Sequence, residues 1–363
     1  MNKRLELIQA SRALVPLLVI AFHVAIVMRD YFDYNFLHAA SLEKSGGVDY
    51  FFVLSGFMIF FIYYKHIGAK EKFKSYLISR MIRIYPVYWV LTLSLIPVYF
   101  LMPAFGGGHE TQPGVIIRSL LLLPQENAPI LTVAWSLTLT LLYYLAFSLM
   151  FILPRFALWA LYSIWAALII FGVTGFLTFD ENMYLETLFH PLLLESLGGS
   201  VCAFIVLKTR PAMGLAPVIL GVGGYVFAWV NGVYEWIDVP ASLLYGVSSM
   251  LLIAGLGFID TSRQINVGKV LNYIGNASFS IYLTNFITIS LCAKLFQKAK
   301  VHEAAGGLIS SILMIAFAVA AGCIVHTLLE KPIGTKLKHR VLGRSGPVSA
   351  RNRGTNVLAA QGK

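Results

Sequence analysis

Charge is scarce in this chain. Only 12% of its 363 residues are Asp, Glu, Lys or Arg, about half the roughly 25% usual in soluble proteins. Apolar side chains make up 58%. That balance excludes a disordered chain and an ordinary soluble enzyme. Acidic residues are the rarer sign, 17 against 28 Lys and Arg, for a net charge of +11. A basic excess can mark a nucleic-acid binder, but its placement along the chain gives a different explanation below. Cysteine is nearly missing: Cys202, Cys292 and Cys323 lie singly in apolar runs. They form no disulfide framework and no metal-ligand spacing, and they read as small core residues. No soluble catalytic domain fits between the apolar runs, and no internal repeat of the transporter kind is visible.

What the sequence has is long apolar segments, with a mean hydropathy of +0.75. A membrane span needs about 20 mainly apolar residues. Ten segments qualify: 7–28, 47–64, 84–103, 131–152, 156–177, 190–207, 212–230, 240–259, 277–298 and 305–329. The first carries Arg12 and His23 and is followed by no small-residue cleavage site, so it reads as a span rather than a signal peptide. The expected fold is therefore all-α, a polytopic membrane helical bundle. With the N-terminus in the cytoplasm, 22 Lys and Arg fall inside and 6 outside. That asymmetry puts both termini in the cytoplasm and accounts for the net charge without nucleic acid. Residues 1–335 form the membrane domain, and 336–363 read as a basic, disordered cytoplasmic tail.

Chemistry then has to come from the bundle, where charged groups are costly and each asks for a reason. Arg12 and His23 are eleven residues apart in the first span. On an ideal helix that spacing is about 20° from three whole turns, so the two share a face about 16 Å apart along the axis. The alternative is a snorkelling arginine and a histidine bonded to a backbone carbonyl. Asp49 opens the second span within Gly46–Phe57, where it can orient His23, pair with an arginine, or serve only as a helix N-cap. Gly56 in the same stretch allows close helix approach. Arg80 and Arg83 share a helix face at the rim, behind Lys70, Lys72 and Lys74. Guanidinium forks match phosphates, while the simpler reading is positive-inside anchoring or anionic lipid.

Weaker candidates complete the set. Trp135 and Ser136 begin the fourth span, Trp135 as an interface aromatic or a substrate contact. Glu195 is an in-membrane carboxylate near the outer end of the sixth span, a base or a histidine partner, or equally a group that reaches the interface. The stretch Asn276–Asn285 carries many hydrogen-bonding groups, which also serve as inter-helix glue. His326 and Glu330 read as a surface pair, and Gly106–Gly107–Gly108 as a flexible outer loop.

Taken in order, these features resemble the membrane acyltransferase-3 family of bacterial surface-carbohydrate O-acyltransferases. The matching residues are Arg12-x10-His23, Asp49-Tyr50-Phe51-Phe52-Val53-Leu54-Ser55-Gly56-Phe57, Arg80-x-x-Arg83-Ile84-Tyr85-Pro86, Trp135-Ser136-Leu137, Ser278-x-Ser280-Ile281-Tyr282-Leu283 and Glu330-Lys331-Pro332. Two positions depart from the pattern. Thr140 stands where many members carry glutamate, and Asn285 where many carry histidine, so those roles do not transfer.

The resemblance implies an integral enzyme of the bacterial inner membrane. It would move an acyl group, most simply acetyl, from cytoplasmic acyl-CoA to a hydroxyl of an extracytoplasmic carbohydrate such as an exopolysaccharide or its lipid-linked repeat unit. Acetyl-CoA enters as co-substrate, with no bound cofactor and no metal. The expected partners are acyl-CoA, the carbohydrate acceptor, the lipid bilayer and polysaccharide-assembly proteins. The CoA phosphates are expected at Arg80 and Arg83, with Arg12 at the channel mouth. Neutral His23 is the expected general base, held by Asp49 or Glu195; an acyl-His23 intermediate is a variant. Glu195, Trp135, Ser136 and Asn285 are auxiliary candidates. Two rival readings are a transporter or flippase of a lipid-linked saccharide, and a non-catalytic partner in polysaccharide assembly.

Overall fold

The computed structural model describes residues 5–179, 182–209, 214–263 and 265–342. Among these there are helices and no strands. Lys3, Arg4, Arg210 and residues 343–363 of the expected tail lie outside the described residues.

Ten helical segments are long and apolar enough to cross a membrane. The first is interrupted: α1 (Glu6–Ser11) gives way at Arg12–Ala13 to α2 (Leu14–Phe32). Pro16 explains the break, since it has no N–H to donate to the Arg12 carbonyl four residues back. Then follow α3 (Gly47–Tyr63), α4 (Phe73–Leu101), the short α5 (Pro113–Leu121), α6 (Trp135–Ser148) and α7 (Arg155–Val173). The second half holds α8 (Met183–Leu188), α9 (Pro191–Lys208), α10 (Leu215–Tyr234), α11 (Ala241–Ser262), α12 (Lys269–Lys298), α13 (Val301–Val325) and α14 (Lys331–Leu342).

Three expected boundaries shift. The third span begins with residues 70–72 and α4, not at residue 84, so Arg80 and Arg83 stand within the spanning helix rather than just before it. The ninth starts at Lys269, so Asn276–Asn285 lies inside α12 rather than at its start. The helical path of the last span continues beyond residue 329 through Leu342, so residues 336–342 are helical where a disordered tail was expected. Hydropathy misses these ends because they are amphipathic or basic while still helical.

The bundle is centred on α3, α9 and α11, with α12 and α13 packed on α2. Glycine sets the α3–α9 contact. A Cβ on Gly56 would run into the Ser196 carbonyl, and one on Gly199 into the Val53 carbonyl, so these backbones touch as small residues permit in membranes. The chain enters α3 through Gly46 at φ 71°, whose carbonyl accepts from Tyr225 Oη at 3.0 Å. Outward faces of α7 and α10 leave Phe156, Ile164, Ile219, Leu220 and Val226 exposed, as suits a lipid-facing surface. The chain is a multi-pass membrane protein. Gly106–Gly107–Gly108 is pinned rather than loose, because Gly107 N and Gly108 N donate to Glu110 at 2.7 and 2.9 Å. Burial pushes the Glu110 carboxyl up, but these N–H groups and His109 outweigh it and hold it below the usual carboxylate range.

One buried carboxylate that the sequence reading passed over fixes the first helix. Asp260 on α11 accepts from Leu7 N and Ile8 N, both at 3.0 Å, and so satisfies two first-turn donors of α1. Its side chain is buried. Asp260→Ala leaves both donors unpaired and is expected to cost about 1–3 kcal/mol. Thermal unfolding in detergent checks this, and an unchanged midpoint would contradict it.

Candidate active site

A cavity of about 300 Å³ opens between α1/α2, α3, α4, α6, α12 and α14. Its charged lining is entirely cationic: Arg12, Arg80, Arg83 and Lys338. Its bore is mostly apolar, with Val15, Val48, Phe51, Leu54 and Leu137 among the walls. The expected cluster of three arginines is thus brought together. Arg12 sits in the break between α1 and α2, with Nη1 3.4 Å from Gln9 Oε1. Arg80 lies among the rings of Tyr63, Tyr76 and Tyr144, 5.6–5.9 Å from their centroids. Those faces attract a cation without neutralising it. Its Nε is buried with no hydrogen-bond partner. A buried donor without an acceptor is costly in isolation and is satisfied when an anion enters.

Arg83 is held differently. Its Nη1 donates to Glu330 Oε1. The other carboxylate oxygen, Oε2, accepts from Ser280 Oγ at 2.6 Å and from His326 Nδ1 at 2.7 Å. His326 and Glu330 are therefore a buried pair, not a surface pair. The cause is local: residues His326–Glu330 form one turn of wider π geometry, which α12 and α4 contact, and such turns often re-aim side chains at functional sites. The network ties together three stretches that the sequence presents separately, Arg83, Ser280 and Glu330.

His23 lies on α2 beyond the cavity lining. Val15, the lining residue nearest to it on that helix, is eight positions earlier, about 12 Å of axis. The expectation that Asp49 or Glu195 holds the imidazole is overturned. His23 Nδ1 is 2.7 Å from Asn285 Oδ1. The amide cannot face the other way without loss, because Asn285 Nδ2 donates to the Tyr282 carbonyl. The oxygen thus faces the ring, Nδ1 carries the proton, and Nε2 is left with its lone pair. Asn285 is fully buried, and Phe22 and Phe286 flank the imidazole at 5.9 and 5.5 Å between centroids. Nothing in one sequence pairs residues 262 positions apart, so the partnership was not readable there.

Asp49 and Glu195 form a separate buried site. Asp49 Oδ1 is 3.4 Å from Lys44 Nζ, the two carboxyl groups interact with each other, and Glu195 Oε2 has no partner. Neither residue lines the cavity, and no bond joins either to His23. Ser136 does line the cavity, hydrogen-bonded to Tyr282 Oη at 2.8 Å, and Tyr282 Oη also donates to the Val133 carbonyl at 3.0 Å. Trp135 points away: it is exposed, 6.4 Å from the His190 ring. Thr140 faces the cavity, but its hydroxyl donates to the Ser136 carbonyl at 2.8 Å, which leaves no acid at that position. Among the described residues no group of His, Cys, Asp and Glu is arranged to hold a metal ion.

Comparison with known proteins bears on this arrangement. Residues 7–329 match the family described as an acyltransferase domain. The chain is similar to the exopolysaccharide production protein ExoZ of Rhizobium meliloti, 28% identical over 315 residues, covering 82% of this chain and 93% of that protein. It is also similar to the acyltransferase MdmB of Streptomyces mycarofaciens, 28% identical over 348 residues, covering 86% of this chain and 85% of that one. No solved structure matches it significantly.

Proposed function

This chain belongs to the acyltransferase-3 family, matched over residues 7–329, and we propose that it transfers an acyl group from acyl-CoA to a hydroxyl of a carbohydrate on the opposite side of the bacterial inner membrane. With both termini in the cytoplasm, as the Lys and Arg asymmetry predicts, Arg80, Arg83 and Arg12 lie on the donor side. The observation that carries this reading is the cavity: a cationic rim with an unpartnered Arg80 Nε, continued by an apolar bore whose lining on the first span ends at Val15, eight residues short of His23. A phosphate-rich head fits the rim, and a thin thioester arm fits the bore. The name of ExoZ, an exopolysaccharide production protein, supports a role in exopolysaccharide production; the acceptor in this reading is the exopolysaccharide or its lipid-linked repeat unit, and acetyl is the simplest acyl group.

In this reading the sugar hydroxyl attacks the thioester carbonyl while His23 Nε2 takes its proton. The C–S bond then breaks as the tetrahedral intermediate collapses, and the imidazolium returns the proton to the departing CoA thiolate. One ester and one free thiol result. Asn285 keeps the Nδ1 proton in place, so that Nε2 stays the basic atom. Replacement by Ala removes that hold, and Asn285→Ala is expected to lower kcat up to about 100-fold with a much smaller change in KM for the donor.

The test is thiol release. Protein purified in detergent, given acetyl-CoA and an oligosaccharide acceptor, should liberate CoA thiol in step with ester formation on the sugar. Release of neither product, from protein shown to be folded, would sink the acyl-CoA reading.

A further inference from the structure

The helix after the last span contributes to the same cavity. Its basic residues invite reading as a surface anchor, yet α14 packs on α4, the helix that carries Arg80 and Arg83. One of its side chains, Lys338, reaches the cavity lining. Its neighbours Lys336 and Arg340, exposed as Lys338 also is, do not. The Lys338 ammonium lies within electrostatic range of Arg83, Arg80 and Glu330. Among the described residues it has no hydrogen-bond or ion-pair partner. Arg12, Arg80, Arg83 and Lys338 therefore share one cavity, and the nearby anion, Glu330, is already engaged by Arg83, Ser280 and His326. Like charges gathered this closely repel one another. The arrangement is stabilised when a ligand brings several negative charges, and a lysine on a flexible stem at the rim is suited to a phosphate as a point charge.

We propose that Lys338 is a phosphate-binding residue of the donor site, contributed by α14, which closes the cationic rim over the polyphosphate head of the acyl donor. The proposal rests on the acyl-CoA reading above and adds a residue outside the motifs. A phosphate can also come from a lipid headgroup. The donor is favoured because Lys338 lines the same cavity as Arg12, Arg80 and Arg83 whereas Lys336 and Arg340 do not.

The experiment measures binding of CoA itself, which has no acyl group to transfer, by titration calorimetry. The full chain is placed in nanodiscs of phosphatidylcholine alone, and again with phosphatidylglycerol added. Lys338→Ala is expected to weaken CoA binding about 5- to 10-fold in both lipids, and Lys338→Arg to stay near wild type. The exposed position of Lys338 leaves folding intact, and equal thermal midpoints confirm it. If wild type binds CoA and Lys338→Ala matches it within twofold, the role of Lys338 is refuted and the donor reading stands. A deficit seen only with phosphatidylglycerol assigns the lysine to lipid and overturns the proposal. If wild type binds no CoA, the donor reading falls and Lys338 falls with it.

Discussion

His23→Ala is expected to lower acyl transfer by at least about 10³-fold while leaving the protein folded. General-base assistance alone is worth about 10²–10⁴-fold, and a sugar hydroxyl is a poor nucleophile at neutral pH without it. The effect should fall on kcat, since the cationic rim is more than three helical turns away along the first span and keeps its hold on the donor. CoA binding to His23→Ala should therefore match wild type. His23→Gln is the sharper control. It fills the site and can still pair with Asn285, but it has no basic nitrogen, so it should be as inactive as the alanine variant. Activity of His23→Gln near wild type would mean that the imidazole serves as a hydrogen-bonding strut rather than a base.

The second large effect is expected at Glu330. This carboxylate accepts from Arg83, Ser280 and His326 at once. Glu330→Leu strands a half-buried guanidinium and two further donors. Breaking a buried pair costs about 3–5 kcal/mol, and the partly exposed side of Arg83, with 30% of its side chain accessible, brings the expectation down to about 2–4 kcal/mol. The double variant Arg83→Leu/Glu330→Leu removes both charges and should recover much of that stability, as buried pairs replaced together often do. It should not recover activity, because Arg83 also lines the donor cavity. Thermal midpoints and donor KM, measured on wild type and these two variants, separate the two roles. Full recovery of both would show that Arg83 serves only to neutralise Glu330.

The two effects also mark how far the sequence could be read. Ten spans follow from hydropathy because lipid demands long apolar helices with internally satisfied backbones. The spacing of Arg12 and His23 placed them on one segment at opposite depths, although Pro16 breaks the helix that the spacing assumes. The arginines and His23 were legible because charge in a membrane is expensive and draws attention. The partners were not. Asn285 and Ser280 look like ordinary polar residues of α12, and only packing of that helix on α2 and the last span gives them His23 and Glu330. Glu330 itself was misjudged as a surface group, since i, i+4 spacing says nothing of the π turn that buries it. Asp49 and Glu195 drew notice for the reason that His23 did, but Asp49 pairs with Lys44 and interacts with Glu195 instead. Asp260 and Lys338 carried no motif, and their roles come wholly from which helix packs on which.

The measurement that tests the central claim most directly is proton NMR of the surface polysaccharide. Material is compared from the parent strain, a deletion, and the deletion carrying either the wild-type or the His23→Ala protein at equal abundance. Ester-acyl resonances should disappear in the deletion, return with the wild-type protein, and stay absent with His23→Ala; their shifts would identify the acyl group. Their return with His23→Ala would contradict the account at its core.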